Sequence, residues 1–216
     1  MRVATIERKT KETDIVLTLS LDGADGITTD TNGTTKSTRG SILASGDVTI
    51  STGVPFFDHM LDAFGRHGMF GLEVHAIGDL DVDAHHTVED VGIVLGQAIL
   101  QALGDKTGIT RYGHAFIPMD EALVLAAIDI SGRGQLHWDV ALPIEFIGSF
   151  DTSLFKEFLI ALAANAGITI HVRSLAGENS HHIIEAAAKA VARALATAVA
   201  IDARVGSSVP STKGHL

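Results

Sequence analysis

The chain has 216 residues, 46% hydrophobic and 19% charged, which suits one domain or two intimately packed halves around an ordinary core. A net charge of −10 argues against general nucleic-acid binding, yet a small anion needs only a local basic cluster. There is no cysteine, which excludes disulfides, thiolate metal sites and a cysteine nucleophile and suits a reducing, cytoplasmic setting. No apolar run reaches the ~18 residues of a membrane span, and Met1-Arg2-Val3-Ala4 lacks the apolar stretch of a signal peptide.

In chain order, Ile15, Leu17, Leu19 and Leu21 alternate with Val16, Thr18 and Ser20, which predicts a half-buried strand. Residues 22–47 are rich in Gly, Thr, Ser and Asp and read as a long exposed loop. An extended pattern resumes over 48–51. A helix is expected from Val54 to about Gly68, with Pro55 near its start. A strand over 72–77 and a helix over 85–103, ended near Gly104, come next. Extended chain is expected over 116–118, a buried strand over 123–130 and another over 135–142. A helix over 151–166, a strand over 168–174 and an Ala-rich helix over 180–201 complete the pattern, and the tail from Val209 has no periodicity.

His85-His86-Thr87-Val88-Glu89 returns 96 residues later as His181-His182-Ile183-Ile184-Glu185, and each copy opens a helix. Helical residues three or four apart are neighbours, so Glu89 sits beside His85 and His86, and Glu185 beside His181 and His182. Adjacent histidines diverge by one helical step. They chelate one ion poorly but suit two different ions. Imidazole with carboxylate fits Mn, Fe or Zn. The positive end of a helix disfavours imidazolium, which leaves ring nitrogens free for metal. A single copy would suit capping or solvated histidines equally well. The duplication points to a metal site fed by both halves.

The halves replay helix, strand and HHxxE helix. A shift of 96 pairs His75 with His171, and a shift of 98 pairs Met60-Leu61 with Phe158-Leu159, Ala63 with Ala161 and His59 with Glu157. Lys189 lies one turn beyond Glu185, whereas its counterpart is Ile93. An added cation on one half suggests an asymmetric anionic substrate, although a solvated helix face explains a lone lysine as well. Eleven histidines accompany these motifs. Neither a dinucleotide-binding glycine motif nor a P-loop is present.

Further motifs run the length of the chain: Arg8-Lys9-Thr10-Lys11-Glu12-Thr13, Phe57-Asp58-His59-Met60-Leu61, Gly78-Asp79, Asp129-Ile130-Ser131-Gly132-Arg133, Gly177-Glu178-Asn179-Ser180 and Pro210-Ser211-Thr212-Lys213-Gly214. Jointly with the HHxxE pair they resemble the imidazoleglycerol-phosphate dehydratase family of histidine biosynthesis. The resemblance implies an α/β (α+β) fold of two pseudo-symmetric half-domains, 1–108 and 109–216, each a mixed sheet packed by helices. It implies two Mn2+ ions per active site and a homo-oligomeric shell of 24 subunits built from trimers. The family's metal positions fall on His59, His85, His86, Glu89, His181, His182 and Glu185. Its substrate positions fall on Glu12, His59, His67, Arg111, Arg133, Lys189, Ser211, Thr212 and Lys213, with His85, His86, Glu89 and His181 also contacting the substrate. Two departures stand out. The family often has His where this chain has Glu157, which still suits a Mn ligand, and about twenty residues, roughly 27–45, are inserted between Glu12 and His59. Loop closure costs little more as loops lengthen, so the insertion should be tolerated.

The implied reaction removes water from a small phosphorylated imidazole substrate. The carbon proton is too weakly acidic for a side chain alone, so the ring must become an electron sink, with the ions as Lewis acids and template. Glu12, Glu89 and Glu185 are the proton carriers. Arg111, Arg133, Lys189 and Lys213, with Ser211, hold the phosphate by charge-assisted hydrogen bonds. The same metal ligands would also serve a di-metal phosphoester hydrolase or a non-catalytic metal-binding shell protein. Release of inorganic phosphate would favour the former, and metal binding without phosphate affinity the latter. No nucleic-acid or membrane partner is expected.

Overall fold

Two β-sheets of the same strand order enclose four helices in the computed structural model, which describes residues 2–22 and 43–214. Strand β1 (Val3–Lys9) and strand β2 (Thr13–Ser20) form a hairpin. Strand β3 (Val48–Ser51) leads through helix α1 (Pro55–Gly68) to the parallel strand β4 (Gly71–Gly78), which inserts between β2 and β3. Helix α2 (His85–Leu103) closes the first half. The second half repeats the plan. Strands β5 (Tyr112–Met119) and β6 (Ala122–Asp129) form the hairpin, and β7 (Gln135–Asp139) takes the edge. A short hairpin, β8 (Phe146–Ile147) and β9 (Phe150–Asp151), precedes helix α3 (Leu154–Ala166). Strand β10 (Thr169–Ala176) and helix α4 (Ser180–Val199) end the repeat. The orders β1-β2-β4-β3 and β5-β6-β10-β7 match position by position, as the two-half fold class requires.

The helices join the halves. Helix α2 lies on β1, β2 and β4, α4 lies on β5, β6 and β10, and across the middle α2 packs on α3 and α1 on α4. Gly96 sets the closeness of the α2–α3 crossing, since a Cβ there would stand 2.7 Å from the Leu162 carbonyl oxygen. Phe57 of α1 meets Phe158 of α3 edge to face at 5.2 Å, a pairing worth ~0.5–1.5 kcal/mol beyond its burial. Leu17, Leu72, Leu95, Leu162 and Leu195 are buried around this layer.

Several boundaries differ from the expected ones for identifiable reasons. Strand β1 was not anticipated, because one of its three inward positions is Arg8, whose guanidinium reaches Asp90 of α2 at 3.0 Å. The β7–β10 pairing ends at Asp139, short of 142, where β10 shifts register between Ser174 and Ala176. Helix α3 starts three residues later than expected, because Asp151 pairs with Phe146 and its carboxylate accepts from the Ser153 N–H at 2.8 Å. Helix α4 stops before Ile201, which instead bridges to Ile109. The expected buried strand at β6 buries only alternate residues. Most of the expected long loop, residues 23–42, lies outside the described residues. No helix among the described residues is long and apolar enough to cross a membrane.

Candidate active site

Helix α1 packs against α4 so that three side chains converge. His59 Nε2 lies 3.2 Å from Glu185 Oε2, and His181 Nε2 lies 3.1 Å from the same oxygen. These three residues offer ligand atoms all within 4.8 Å of one another. Among the described residues, no other such group of three forms. Two imidazoles and a carboxylate are the donor set that suits Mn, Fe or Zn, so the residues fit a divalent ion. Lys189, one turn on, pairs with the other carboxylate oxygen, Glu185 Oε1, at 2.7 Å. It is half-buried here rather than solvated. Burial pushes the Glu185 carboxyl up, but the hydrogen bonds and charges of Lys189 and His59 outweigh that and hold it below the usual carboxylate value. His67, two turns along α1 from His59, is pushed below the ordinary imidazole value by burial and then by the charge of Lys189.

The equivalent pair on α2 is looser. His85 Nε2 stands 3.5 Å from Glu89 Oε2, and both are half-buried. Glu157 is half-buried in the first turn of α3 and does not belong to the three-ligand cluster. Adjacent histidines do diverge: ring planes cross at 88° in His85–His86 and 81° in His181–His182.

The second histidine of each pair turns away from its motif glutamate. His86 Nδ1 meets Asp79 Oδ2 at 3.0 Å and lies 3.8 Å from Glu12 Oε2 in the β1–β2 turn. His182 Nδ1 meets Glu121 Oε2 at 2.7 Å, with Asp120 3.7 Å from its Nε2. These carboxylates push both imidazoles above their ordinary value, Asp79 most for His86 and Glu121 most for His182. The helix N-terminus was expected to act the other way, and the nearer full charges win. Glu121 itself is held down at about 2, first by His182 and then by the Asn179 and Glu178 amides. Asp79 and Glu121 were not singled out as site residues from the sequence. Each is an acid beside a strand end, with no spacing to reveal it.

The basic residues gather elsewhere. Arg111, Arg133, Ser211, Thr212 and Lys213 line one cavity of about 660 Å³, joined by Lys106, which the sequence reading missed. Lys189 is not among its lining residues. Lys106 and Arg111 are both non-glycine residues at positive φ, 61° and 73°, strain of the kind that collects at functional sites. Arg111 Nε donates to Asp129 at 2.8 Å, and its Nη1 donates to the Pro210 carbonyl at 2.8 Å. It therefore ties the C-terminal tail to β6 and shapes the cavity wall. The Arg111 amide also caps the far end of α4, donating to the Ala198 carbonyl at 2.8 Å. Glu185 and Ala198 are thirteen residues apart on one helix, a rise of about 20 Å. The metal cluster and the basic cavity of a single chain thus lie at opposite ends of α4.

Comparison with known proteins gives the family and supports the fold. The family model described as "Imidazoleglycerol-phosphate dehydratase" matches residues 52–195. A protein of that name from Dinoroseobacter shibae is 54% identical over 216 residues, covering 100% of both chains. One from Desulforamulus reducens is 53% identical over 215 residues, covering 100% of this chain and 98% of its own. The crystal structure of the Staphylococcus aureus imidazoleglycerol-phosphate dehydratase superposes with a TM-score of 0.76 at 36% identity, covering 93% of this chain and 99% of that chain. The Pyrococcus furiosus structure, in complex with (S)-C348, gives 0.75 at 36%, covering 98% and 100%.

Proposed function

The chain belongs to the imidazoleglycerol-phosphate dehydratase family, hydro-lyases of histidine biosynthesis, and on that premise we propose how its residues divide the work. The convergence of His59, His181 and Glu185 from positions up to 126 residues apart carries the reading. They hold one divalent ion, taken as Mn2+ on the family resemblance, one of the ions this donor set suits. His85, His86, Glu89, Glu157 and His182 supply the remaining ligands of a two-ion site. The ions supply Lewis acidity toward the substrate's imidazole ring. Glu185, kept ionised by Lys189, serves mainly as a ligand. Glu12, exposed, and Glu89, half-buried, are placed to carry protons to and from the reacting carbon and hydroxyl. Arg133, Ser211, Thr212 and Lys213 hold the phosphate, and Arg111 keeps the tail in place for them. His67 and Lys189, beside Glu185 at the metal end, contact the substrate there.

A small phosphorylated imidazole cannot span the length of α4. We therefore assign the phosphate cavity of one subunit to the metal ligands of another, so that the active site requires a homo-oligomer. A shell of 24 subunits made from trimers satisfies this. The division at 108/109 places one HHxxE helix in each half, and the enzyme works in the cytoplasm, as suits a biosynthetic family. Dehydration is favoured over phosphoester hydrolysis and over a non-catalytic shell by the family membership. Purified protein given Mn2+ and imidazoleglycerol phosphate should yield imidazoleacetol phosphate without inorganic phosphate. Release of inorganic phosphate, or no turnover with full metal loading, would overturn the reading.

A further inference from the structure

Both HHxxE motifs carry a carboxylate on the second histidine that lies outside the motif. Asp79 follows β4 directly. Its backbone N–H donates to the Glu12 carbonyl at 3.1 Å, and its carbonyl accepts from Val82 at 2.8 Å, so the residue is fixed between two turns. Gly78 before it lets the strand end close on α2, since a Cβ there would meet Thr87 Oγ1 at 2.0 Å. Glu121 reaches His182 from the other direction, the two-residue β5–β6 turn. Asp120 adopts φ 49° to make that turn. Glu121 Oε1 accepts from the Glu178 and Asn179 amides at 3.1 and 2.9 Å, which leaves Oε2 aimed at His182 Nδ1 at 2.7 Å. The Asn179 side chain then caps His181, so carboxylate, loop and helix start form one braced unit.

The halves use different partners, Asp79 after β4 in one and Glu121 of the β5–β6 turn in the other, while Glu12, which precedes β2 as Glu121 precedes β6, stands back at 3.8 Å from His86 Nδ1. A contact that merely followed from the duplication would use equivalent residues. An ionised carboxylate can only accept, so the hydrogen must sit on Nδ1 and the lone pair on Nε2. We propose that Asp79 and Glu121 are positioning residues, each gripping the Nδ1–H of the second histidine so that Nε2 of His86 or His182 faces a metal ion. This rests on the metal-site reading above and deepens it. The first histidines need no such device, because His181 and His85 already turn Nε2 toward their motif glutamates. His182 Nε2 lies 3.7 Å from Asp120 of the β5–β6 turn, and neither second histidine belongs to the three-ligand group of its own chain, which suits an ion completed by a neighbouring subunit.

The test is Mn2+ titration of the assembled, chelator-stripped protein, with free Mn2+ followed by its EPR signal. Asp79→Asn and Glu121→Gln should each weaken one class of ion by roughly 10–100-fold, the usual cost of losing a partner behind a ligating histidine. Melting of the metal-free variants should match that of the wild type, and Glu121→Gln, in the other half, serves as a separate variant should Asp79→Asn not fold. A double-mutant comparison separates positioning from general support. In a His86→Ala background Asp79→Asn should cost no further affinity, because the aspartate acts only through that ring. Equal Mn2+ affinity in wild type and single variants would overturn this inference alone, as would an additive loss in the double variant. Wild-type protein that takes up no Mn2+ would overturn the metal-site reading with it.

Discussion

His59 Nε2 and Glu185 Oε2, 126 residues apart in the chain, sit 3.2 Å apart where α1 crosses α4. The contact exists because each half lends a helix to the other's surface, and the same oxygen also faces His181. Glu185→Ala should therefore do more than remove one ligand. It strands Lys189, half-buried and paired through Glu185, beside two imidazoles. Metal content should fall by about one ion per chain, and elemental analysis after Mn2+ loading and desalting checks this.

The basic cavity predicts a different signature. Arg133→Ala or Lys213→Ala should raise KM by the equivalent of roughly 1.5–3 kcal/mol, the scale of a hydrogen bond to a charged group, and leave metal content unchanged. Arg111 should behave otherwise. Its fork holds both Asp129 and the Pro210 carbonyl, so Arg111→Lys should not restore function. Steady-state kinetics with a thermal melt distinguishes the two classes: a KM change with an unchanged melting point for Arg133, and a lowered melting point for Arg111.

Acid should strip the metal early. A ligating imidazole must be neutral, and both His86 and His182 are raised above the ordinary value of 6.5, chiefly by Asp79 and Glu121. Below a raised value the ring is protonated and metal is lost; above it the ring is free to bind. Mn2+ affinity should accordingly begin to fall at a pH above 6.5 rather than below it. Loss of bound Mn2+ measured across pH 5–8, the range over which histidine changes charge, tests this. An onset only below pH 6 would contradict it.

Much of this was legible in the sequence. The HHxxE duplication located the starts of α2 and α4 and the His85–Glu89 and His181–Glu185 contacts, because helical spacing converts directly into a shared face. What stayed hidden depended on tertiary partners. Arg8 broke the apolar pattern of β1 because its charge is answered by Asp90 on another element. Glu121 and Lys106 are polar residues of turns that carry no repeat or spacing, and Arg111 reads as a surface charge until the tail folds over it. The separation of the His59–His181–Glu185 cluster from the basic cavity was invisible too, since it follows from where α4 begins and ends.

The insertion gives a dissectable case. Residues 27–42 fall outside the described part of the chain, but its last residues do not. Ser45 Oγ donates to the Met69 carbonyl at 2.8 Å, and Leu43 packs directly against Gly71. Deleting 27–42 should leave assembly and turnover largely intact, given how slowly closure entropy grows with loop length. Extending the deletion through Ser45 removes the seat of β4 and should lower the melting point. Equal melting points in the two deletions would show that Leu43 and Ser45 contribute nothing.

Glu157 is the sharpest test of the pseudo-symmetry. Helix α3 packs on α2 as α1 packs on α4, so Glu157 stands to His85 and Glu89 as His59 stands to His181 and Glu185. In the described structure Glu157 lies outside the three-ligand group, half-buried at the start of α3. If the symmetry extends to chemistry, Glu157→Ala should weaken one of two ions more than the other. Glu157→His should keep much of the turnover, since imidazole and carboxylate are both ligands for Mn2+. Chelation adds a second readout. When ligands from several subunits share an ion, removing metal should shift the protein from a large shell toward trimers, and Glu157→Ala should make that shift easier. Light scattering that gives the same mass with and without metal would break the link between ligation and assembly. Full occupancy and wild-type turnover in Glu157→Ala would instead leave the two halves of the site chemically unequal.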